Sequence, residues 1–261
     1  MKENKSTGKV FLVGAGPGDP GLLTLKAYSI LQKCDVVIYD ALLSKEIVNY
    51  APAHSEKIFI GESRHQSRIS QEEVERMMVD KAKEGKLVVR LKGGDPFMFG
   101  RGGEEAETLT GAGIYWEVIP GVSSGIAAPA YAAIPLTHRD CASSVIFITG
   151  HDAAGKPKIE WKIIQKAFNT LVIFMGVTNL KEIVTHLLQS NYLPDDLIAI
   201  IESGTTTKQK VRTGTLGTIT DLIADDPIET PALIIIGDVV GYREKLRQYL
   251  SFDPSDLGDF N

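Results

Sequence analysis

Short apolar runs alternate along this chain with stretches of helical periodicity, and glycine-rich turns follow several of the runs. Runs this short suit buried strands, and the helices between them supply the crossovers that parallel strands need. Val10–Val13 is the first run and ends in Gly14-Ala-Gly-Pro-Gly-Asp19. Val36–Tyr39, Lys57–Ile60, Leu87–Leu91 and Ile114–Ile119 are the other strand candidates of the first half. Helices are expected over Leu22–Gln32, from Ser70 to Lys83 and over Glu104–Thr110. Asp19 can cap the first, with Pro20 in the tolerated first turn. Ser70 and Glu73 have the form of a capping box, and Gly85 supplies the stop.

The second half repeats the style without repeating the sequence. Strands are expected at Val145–Thr149, Leu171–Phe174, Leu197–Glu202, Lys210–Thr213 and Leu233–Ile236. Helices are expected at Trp161–Ala167, Leu180–Gln189, Leu216–Ala224 and Tyr242–Leu250. The alternation predicts two α/β domains with mainly parallel sheets, over residues 9–121 and 141–250. Residues 122–140, rich in Ala, Ser and Pro, read as a connector with a helix over Ser124–Ala133. Ligands of open α/β sheets sit at the carboxyl ends of strands, and pockets favour domain interfaces, so the glycine-rich turns should converge on one cleft.

Composition narrows the function classes. The chain has 261 residues, 43% of them hydrophobic, enough for one large core or two modest ones. A net charge of −5 argues against a dedicated nucleic-acid binder. Cys34 and Cys141 are the only cysteines and form no CxxC, which fits a reducing, cytoplasmic setting and argues against a disulfide framework or thiolate metal site. His54, His65, His138, His151 and His186 show no metal-ligand spacing, so no metal is expected. Val10–Val13 is too short for a signal-peptide core, and no stretch approaches the roughly 20 apolar residues of a membrane span.

The glycine turns carry the chemistry. Gly14-x-Gly16-x-Gly18 after a strand suggests a dinucleotide loop, but the fingerprint needs a glycine where Asp19 stands. Pro17 also removes an amide that could face a phosphate. Asp40 can be counted as the acidic residue closing a second strand, so a nicotinamide-dependent dehydrogenase stays open on this turn alone. Lys92-Gly-Gly-Asp-Pro96 lets backbone approach a ligand closely, with Asp95 as an acceptor for hydroxyls or an ammonium group. The plainer reading of that segment is a tight turn. Arg101, flanked by glycines, is hard to explain as core packing, and its plain reading is a solvated loop arginine.

These residues, taken together, resemble one family. Val13–Asp19, Arg90-Leu-Lys-Gly-Gly-Asp-Pro-Phe-Met-Phe-Gly-Arg-Gly-Gly-Glu-Glu105 and Pro120-Gly-Val-Ser-Ser124 look like the uroporphyrinogen-III C-methyltransferases of the tetrapyrrole methylase family. Pro135-Leu-Thr-His-Arg-Asp140, Thr149-Gly-His151, Thr170–Gly176, Glu202-Ser-Gly-Thr205 and Pro231–Gly237 extend the likeness from about Lys9 to Leu250. The resemblance implies two α/β domains with S-adenosylmethionine folded into the cleft between them, and a homodimer. It implies cofactor contacts at Pro17, Gly93, Gly94, Asp95, Met98, Ser123, Ser124, Met175, Gly204 and Ala232. Carbonyls near glycines suit a sulfonium cation, Met98 and Met175 suit the adenine or thioether, and Ser123 can bond a polar tail.

The implied reaction moves two methyl groups from S-adenosylmethionine to uroporphyrinogen III, leaving S-adenosylhomocysteine and precorrin-2 for sirohaem or cobalamin. Asp40 matches the position to which the family assigns a proton acceptor; its plainer reading is a helix N-cap at a strand end. Uroporphyrinogen III bears carboxylates, for which arginine is the natural clamp, so Arg101 and Arg139 are expected on the substrate with Glu104 as a positioning partner. Arg101 has also been cast as a base in this family, but a guanidinium that stays protonated makes a poor one. One segment departs from the pattern. Where the family has Gly-Lys-Arg-x-Gly-x-His, this chain has Gly61-Glu-Ser-Arg-His-Gln-Ser67, so a proton-donor role does not carry over to Glu62. A later corrinoid precursor as acceptor is the neighbouring alternative. No segment is left over for precorrin-2 oxidation or iron insertion, so a single activity is expected.

Overall fold

Strand β1 (Lys9–Gly14) is buried on both faces, which fixes the architecture around it. Val10 and Leu12 point to one apolar cluster, while Phe11 and Val13 point to another. Each fully buried side chain of this kind contributes about 1.5–3 kcal/mol relative to exposure. Both faces must therefore be covered by helices. The computed structural model describes residues 7–61, 69–150, 159, 161, 164 and 169–249. Contacts divide the chain after Ser123 into two units.

In the first unit, β1, β2 (Val36–Tyr39), β3 (Glu56–Phe59), β4 (Leu87–Lys92) and β5 (Tyr115–Ile119) form a sheet in the order β3-β2-β4-β1-β5. Every pairing is parallel. Helices α1 (Leu25–Leu31) and α2 (Lys45–Asn49) cover one face through Ala27, Leu31, Ile47 and Val48. Helices α3 (Gln71–Lys83) and α4 (Gly102–Gly111) cover the other through Val74, Met78, Ala106 and Leu109. The expected capping box opens α3: Glu73 donates its amide to Ser70 Oγ, and Ser70 donates to Glu73 Oε2, both at 3.2 Å. Helix α2 was not legible in the sequence. It is short, and its N-cap is Ser44.

Three loops at the carboxyl edge of this sheet touch through bare backbone. Gly16 and Gly94 each donate an amide hydrogen bond to the other's carbonyl, at 3.2 and 2.7 Å. A Cβ on Gly14 would stand 2.5 Å from the Gly121 amide nitrogen, and one on Gly121 would stand 2.3 Å from the Gly94 carbonyl oxygen. Those obstacles are backbone atoms, which cannot rotate aside.

The second unit opens with α5 (Ser124–Tyr131) and holds β6 (Val145–Thr149), β7 (Thr170–Phe174), β8 (Leu197–Glu202), β9 (Lys210–Thr215) and β10 (Ala232–Ile236). Its sheet runs β6-β7-β10-β8-β9. Only β6 and β7 are parallel; the other three pairings are antiparallel. The expectation of mainly parallel sheets therefore holds for the first unit, and the second departs from it. Parallel and antiparallel strands buried on both faces read alike as apolar runs, so the sequence could not separate them. Helix α5, expected in a connector, is part of this unit's core: Ala128, Ala132 and Ile134 pack with Val172, Ala199 and Ile235. Helices α6 (Leu180–Leu188), α7 (Ile219–Asp225) and α8 (Tyr242–Leu246) complete the described α-helices. Most of the helix expected at 161–167, and residue 250, lie outside the described residues.

The backbone contact at the first sheet's edge predicts that Gly121→Ala destabilises the protein by about 1–3 kcal/mol, the usual cost of overpacking. Denaturant unfolding should show a lower midpoint at unchanged slope. An unchanged midpoint would mean the loops part easily.

Candidate active site

Asp40, Gly93, Gly94, Asp95 and Ser123 all follow carboxyl ends of the first unit's strands, and parallel pairing brings those ends to one edge. Asp95 ties the edge together. Its Oδ1 accepts from the Phe97 amide at 2.9 Å and its Oδ2 from the Gly121 amide at 3.0 Å. Both oxygens thus serve the loop, and only their remaining lone pairs are left for a ligand. Gly93 and Gly94 are half-buried, with Gly94 at φ 66°. A Cβ built on Gly93 meets only Leu42, at 3.4 Å and beyond, so space opens beside this backbone. Pro17 and Met98 are half-buried in neighbouring loops, and Ser123 is buried. Asp19 accepts from the Gly21 amide at 2.7 Å, capping the turn after the first loop.

The loop from Pro96 to Gly102 explains the glycines around Arg101. Cβ atoms on Gly100 and Gly102 would lie 2.7 and 2.5 Å from the Pro96 carbonyl oxygen. Arg101 itself is left-handed at φ 60° and stands at the N-cap of α4. Its guanidinium Nε donates to both Glu104 oxygens, at 3.1 and 3.0 Å, and the pair is exposed. Each stabilises the charged form of the other: Glu104 is held below its usual carboxylate range and Arg101 is raised. Glu104 thus holds the Arg101 guanidinium in an ion pair.

Asp40 is a quarter exposed, and its Oδ1 accepts from the Leu42 amide at 3.1 Å. It is not the cap of α2, a role that falls to Ser44. Behind it lies a buried charge cluster that the residue-by-residue reading missed. Arg90 and Lys92, on the same face of β4, both reach Glu105 Oε1, at 3.0 and 2.9 Å. All three are almost wholly buried. Arg90 also comes within 3.7 Å of Asp40 Oδ2. Burial lowers the Lys92 ammonium below the usual lysine range, Arg90 adds to this, and Glu105 opposes it. The signal was available: two basic residues two apart in a strand buried on both faces need a buried acid.

In the second unit, Met175 follows β7, Gly204 follows β8 and Ala232 opens β10. Antiparallel pairing of β10 with both neighbours puts these positions at one edge. Met175 is exposed and left-handed at φ 53°. Gly204 packs against Ala128 of α5, and Ser124 begins that helix. Buried Glu202 holds the neighbouring backbone, accepting from the Glu229 amide at 2.8 Å and pairing with Arg212. Arg139 does not join this group. It is exposed in the turn between His138 and Ala142, and the preceding Leu136 carbonyl accepts from Thr170, at the opposite end of β7 from Met175. The segment 62–68, with Glu62, Arg64, His65 and Arg68, and His151 lie outside the described residues. Among the described residues no His, Cys, Asp or Glu group could hold a metal, and no helix is long and apolar enough to cross a membrane.

A protein named siroheme synthase from Pseudoalteromonas atlantica is 47% identical over 249 residues, which are 95% of this chain and 54% of that protein. The chain thus spans about half the length of the siroheme synthases it matches. A uroporphyrinogen-III C-methyltransferase from Priestia megaterium is 47% identical over 236 residues, covering 90% of this chain and 99% of the relative. The crystal structure of a uroporphyrin-III C-methyl transferase from Thermus thermophilus, complexed with S-adenyl homocysteine, superposes with a TM-score of 0.79 at 38% identity, over 90% of this chain and 99% of that one. Residues 9–220 match the family model of the Tetrapyrrole (Corrin/Porphyrin) Methylases, and the chain belongs to that family.

Proposed function

We propose that this chain transfers methyl groups from S-adenosylmethionine to uroporphyrinogen III, two per acceptor, giving precorrin-2. What supports this most is the joint placement of Asp40, Gly93, Gly94 and Arg101 around the carboxyl edge of the first sheet, in a chain so similar to named uroporphyrinogen-III C-methyltransferases. The cofactor would be held by Pro17, Gly93, Gly94, Asp95, Met98 and Ser123 of the first unit and Ser124, Met175, Gly204 and Ala232 of the second. The open space beside the Gly93 backbone fits such a ligand, because carbonyl oxygens there can face a cation without a side chain intervening. When bound, S-adenosylmethionine supplies an electrophilic methyl whose leaving group is a neutral thioether, so no general acid is needed on that side.

The protein's tasks are then alignment and proton removal. An electron-rich pyrrole carbon has to be held about 3–3.5 Å from the methyl, in line with the bond that breaks. Arg101 presents its fixed guanidinium outward and clamps a substrate carboxylate, with Glu104 holding the fork. Once methylated, the ring is cationic and must lose a proton from a bridging carbon; Asp40 accepts it. Arg139, the other arginine expected on the substrate, is exposed and is proposed to meet a further carboxylate of the macrocycle. We further propose that the protein is a homodimer and that it works in the cytoplasm, a reducing setting that suits its two free cysteines.

Incubation with uroporphyrinogen III and S-adenosylmethionine, followed by mass analysis, should show two methyl groups added to the macrocycle. An unchanged macrocycle with folded protein would refute the proposal, and methylation only of a later corrinoid precursor would move the acceptor. Arg101→Ala should raise KM for uroporphyrinogen III about tenfold or more while leaving S-adenosylhomocysteine affinity within twofold, since one charge-assisted bidentate contact is lost. An unchanged KM would remove the clamp role.

A further inference from the structure

Among the described residues Asp40 has a single hydrogen bond to backbone, from Leu42, and that contact alone would leave its carboxylate plane free to turn. Arg90 supplies the second contact, with its terminal nitrogen 3.7 Å from Asp40 Oδ2. Arg90 is itself immobilised on every side. Its Nε donates to Glu105 at 3.0 Å, and its NH1 donates to the carbonyls of Leu91 at 3.0 Å and Ile38 at 3.4 Å. Ile38 and Leu91 belong to adjacent strands, so the guanidinium lies across β2 and β4 directly behind the strand end that carries Asp40. Glu105, fully buried, anchors this arginine and also takes Lys92 at 2.9 Å and Gln71 at 3.3 Å.

Charge balance makes the arrangement directional. Two buried cations face one buried anion, which leaves a surplus of one positive charge, and the next anion within reach is Asp40. A cluster built only to fill the core would close on itself, because an uncompensated buried charge is costly. This one is completed at the edge of the sheet. We propose that Arg90 is the positioning residue of Asp40, and that Glu105 fixes Arg90 so that the Asp40 carboxylate is held in one orientation toward the substrate. The proposal rests on Asp40 acting as proton acceptor. It explains why a strand buried on both faces carries Arg90 at all: the fork contacts two carboxylates and two carbonyls at once, which a single ammonium cannot do.

The test compares Arg90→Gln, Arg90→Lys and Asp40→Asn, singly and combined, in the full-length protein. Arg90→Gln should lower kcat about tenfold to a hundredfold, the usual cost of misplacing a catalytic group by an ångström. KM for S-adenosylmethionine and affinity for S-adenosylhomocysteine should stay within twofold. Arg90→Lys keeps the charge for Glu105 but loses the fork, and should fall between Arg90→Gln and the parent; it also serves if the glutamine variant does not fold. In the Asp40→Asn background the Arg90 substitutions should cost no more than about twofold. A crystal structure of either Arg90 variant should show the Asp40 carboxylate turned from its position here. Unchanged kcat in both Arg90 variants, equal losses with and without Asp40, or an unmoved Asp40 carboxylate would overturn the proposal. Full activity in Asp40→Asn alone would instead remove the proton-acceptor role on which it rests.

Discussion

Backbone packed on backbone at Gly14, Gly94 and Gly121 is the constraint from which the rest of the first unit's chemistry follows. The loops after β1, β4 and β5 can approach this closely only where no Cβ intervenes. Asp95 then locks the arrangement by bonding the Gly121 amide across it. With the loops fixed, Gly93 is left beside open space, and the chain from Pro96 onward turns tightly enough to project Arg101 outward at the head of α4. Side chains at this edge are therefore set on short, tethered segments, the condition for a site whose main task is alignment.

Charge is the second organising element. Burying Arg90 and Lys92 against the single anion Glu105 leaves one positive charge that Asp40 balances at the sheet edge, and such clusters seldom raise stability over an apolar core of equal volume. Their placement directly beneath Asp40 gives the cluster a functional rationale that stability does not supply. The second unit uses the same device at its own edge, where Glu202 and Arg212 pair beside the Ser203–Gly204 turn.

Much of this was legible in the chain itself. Strands buried on both faces gave unmistakable apolar runs, and Val36–Tyr39 and Leu197–Glu202, like the half-buried Val145–Thr149, match the observed bounds. The capping box at Ser70 placed the start of α3 correctly. Strand direction in the second unit was not legible, because burial pattern carries no sign of it. Helix α2 escaped because five residues give too little periodicity. Among the proposed site residues, Asp40, Gly93, Gly94, Asp95 and Arg101 were named from turn chemistry or family likeness, and Glu104, three residues beyond Arg101 in the first turn of α4, pairs with it. Arg139 was grouped with Arg101 by charge and by the Pro135–Asp140 motif, and it is exposed in the turn that follows Leu136. Arg90, Lys92 and Glu105 were passed over because motif reading weighs exposed groups, whereas their meaning comes from burial.

The central claim is that the Gly93–Asp95 turn receives the methyl donor, and a crystal structure with S-adenosylhomocysteine tests it most directly. The product should lie against the backbone of Gly93 and Gly94, with its sulfur close to their carbonyl oxygens. Density for the ligand elsewhere on the protein, with this turn facing only solvent, would contradict the account.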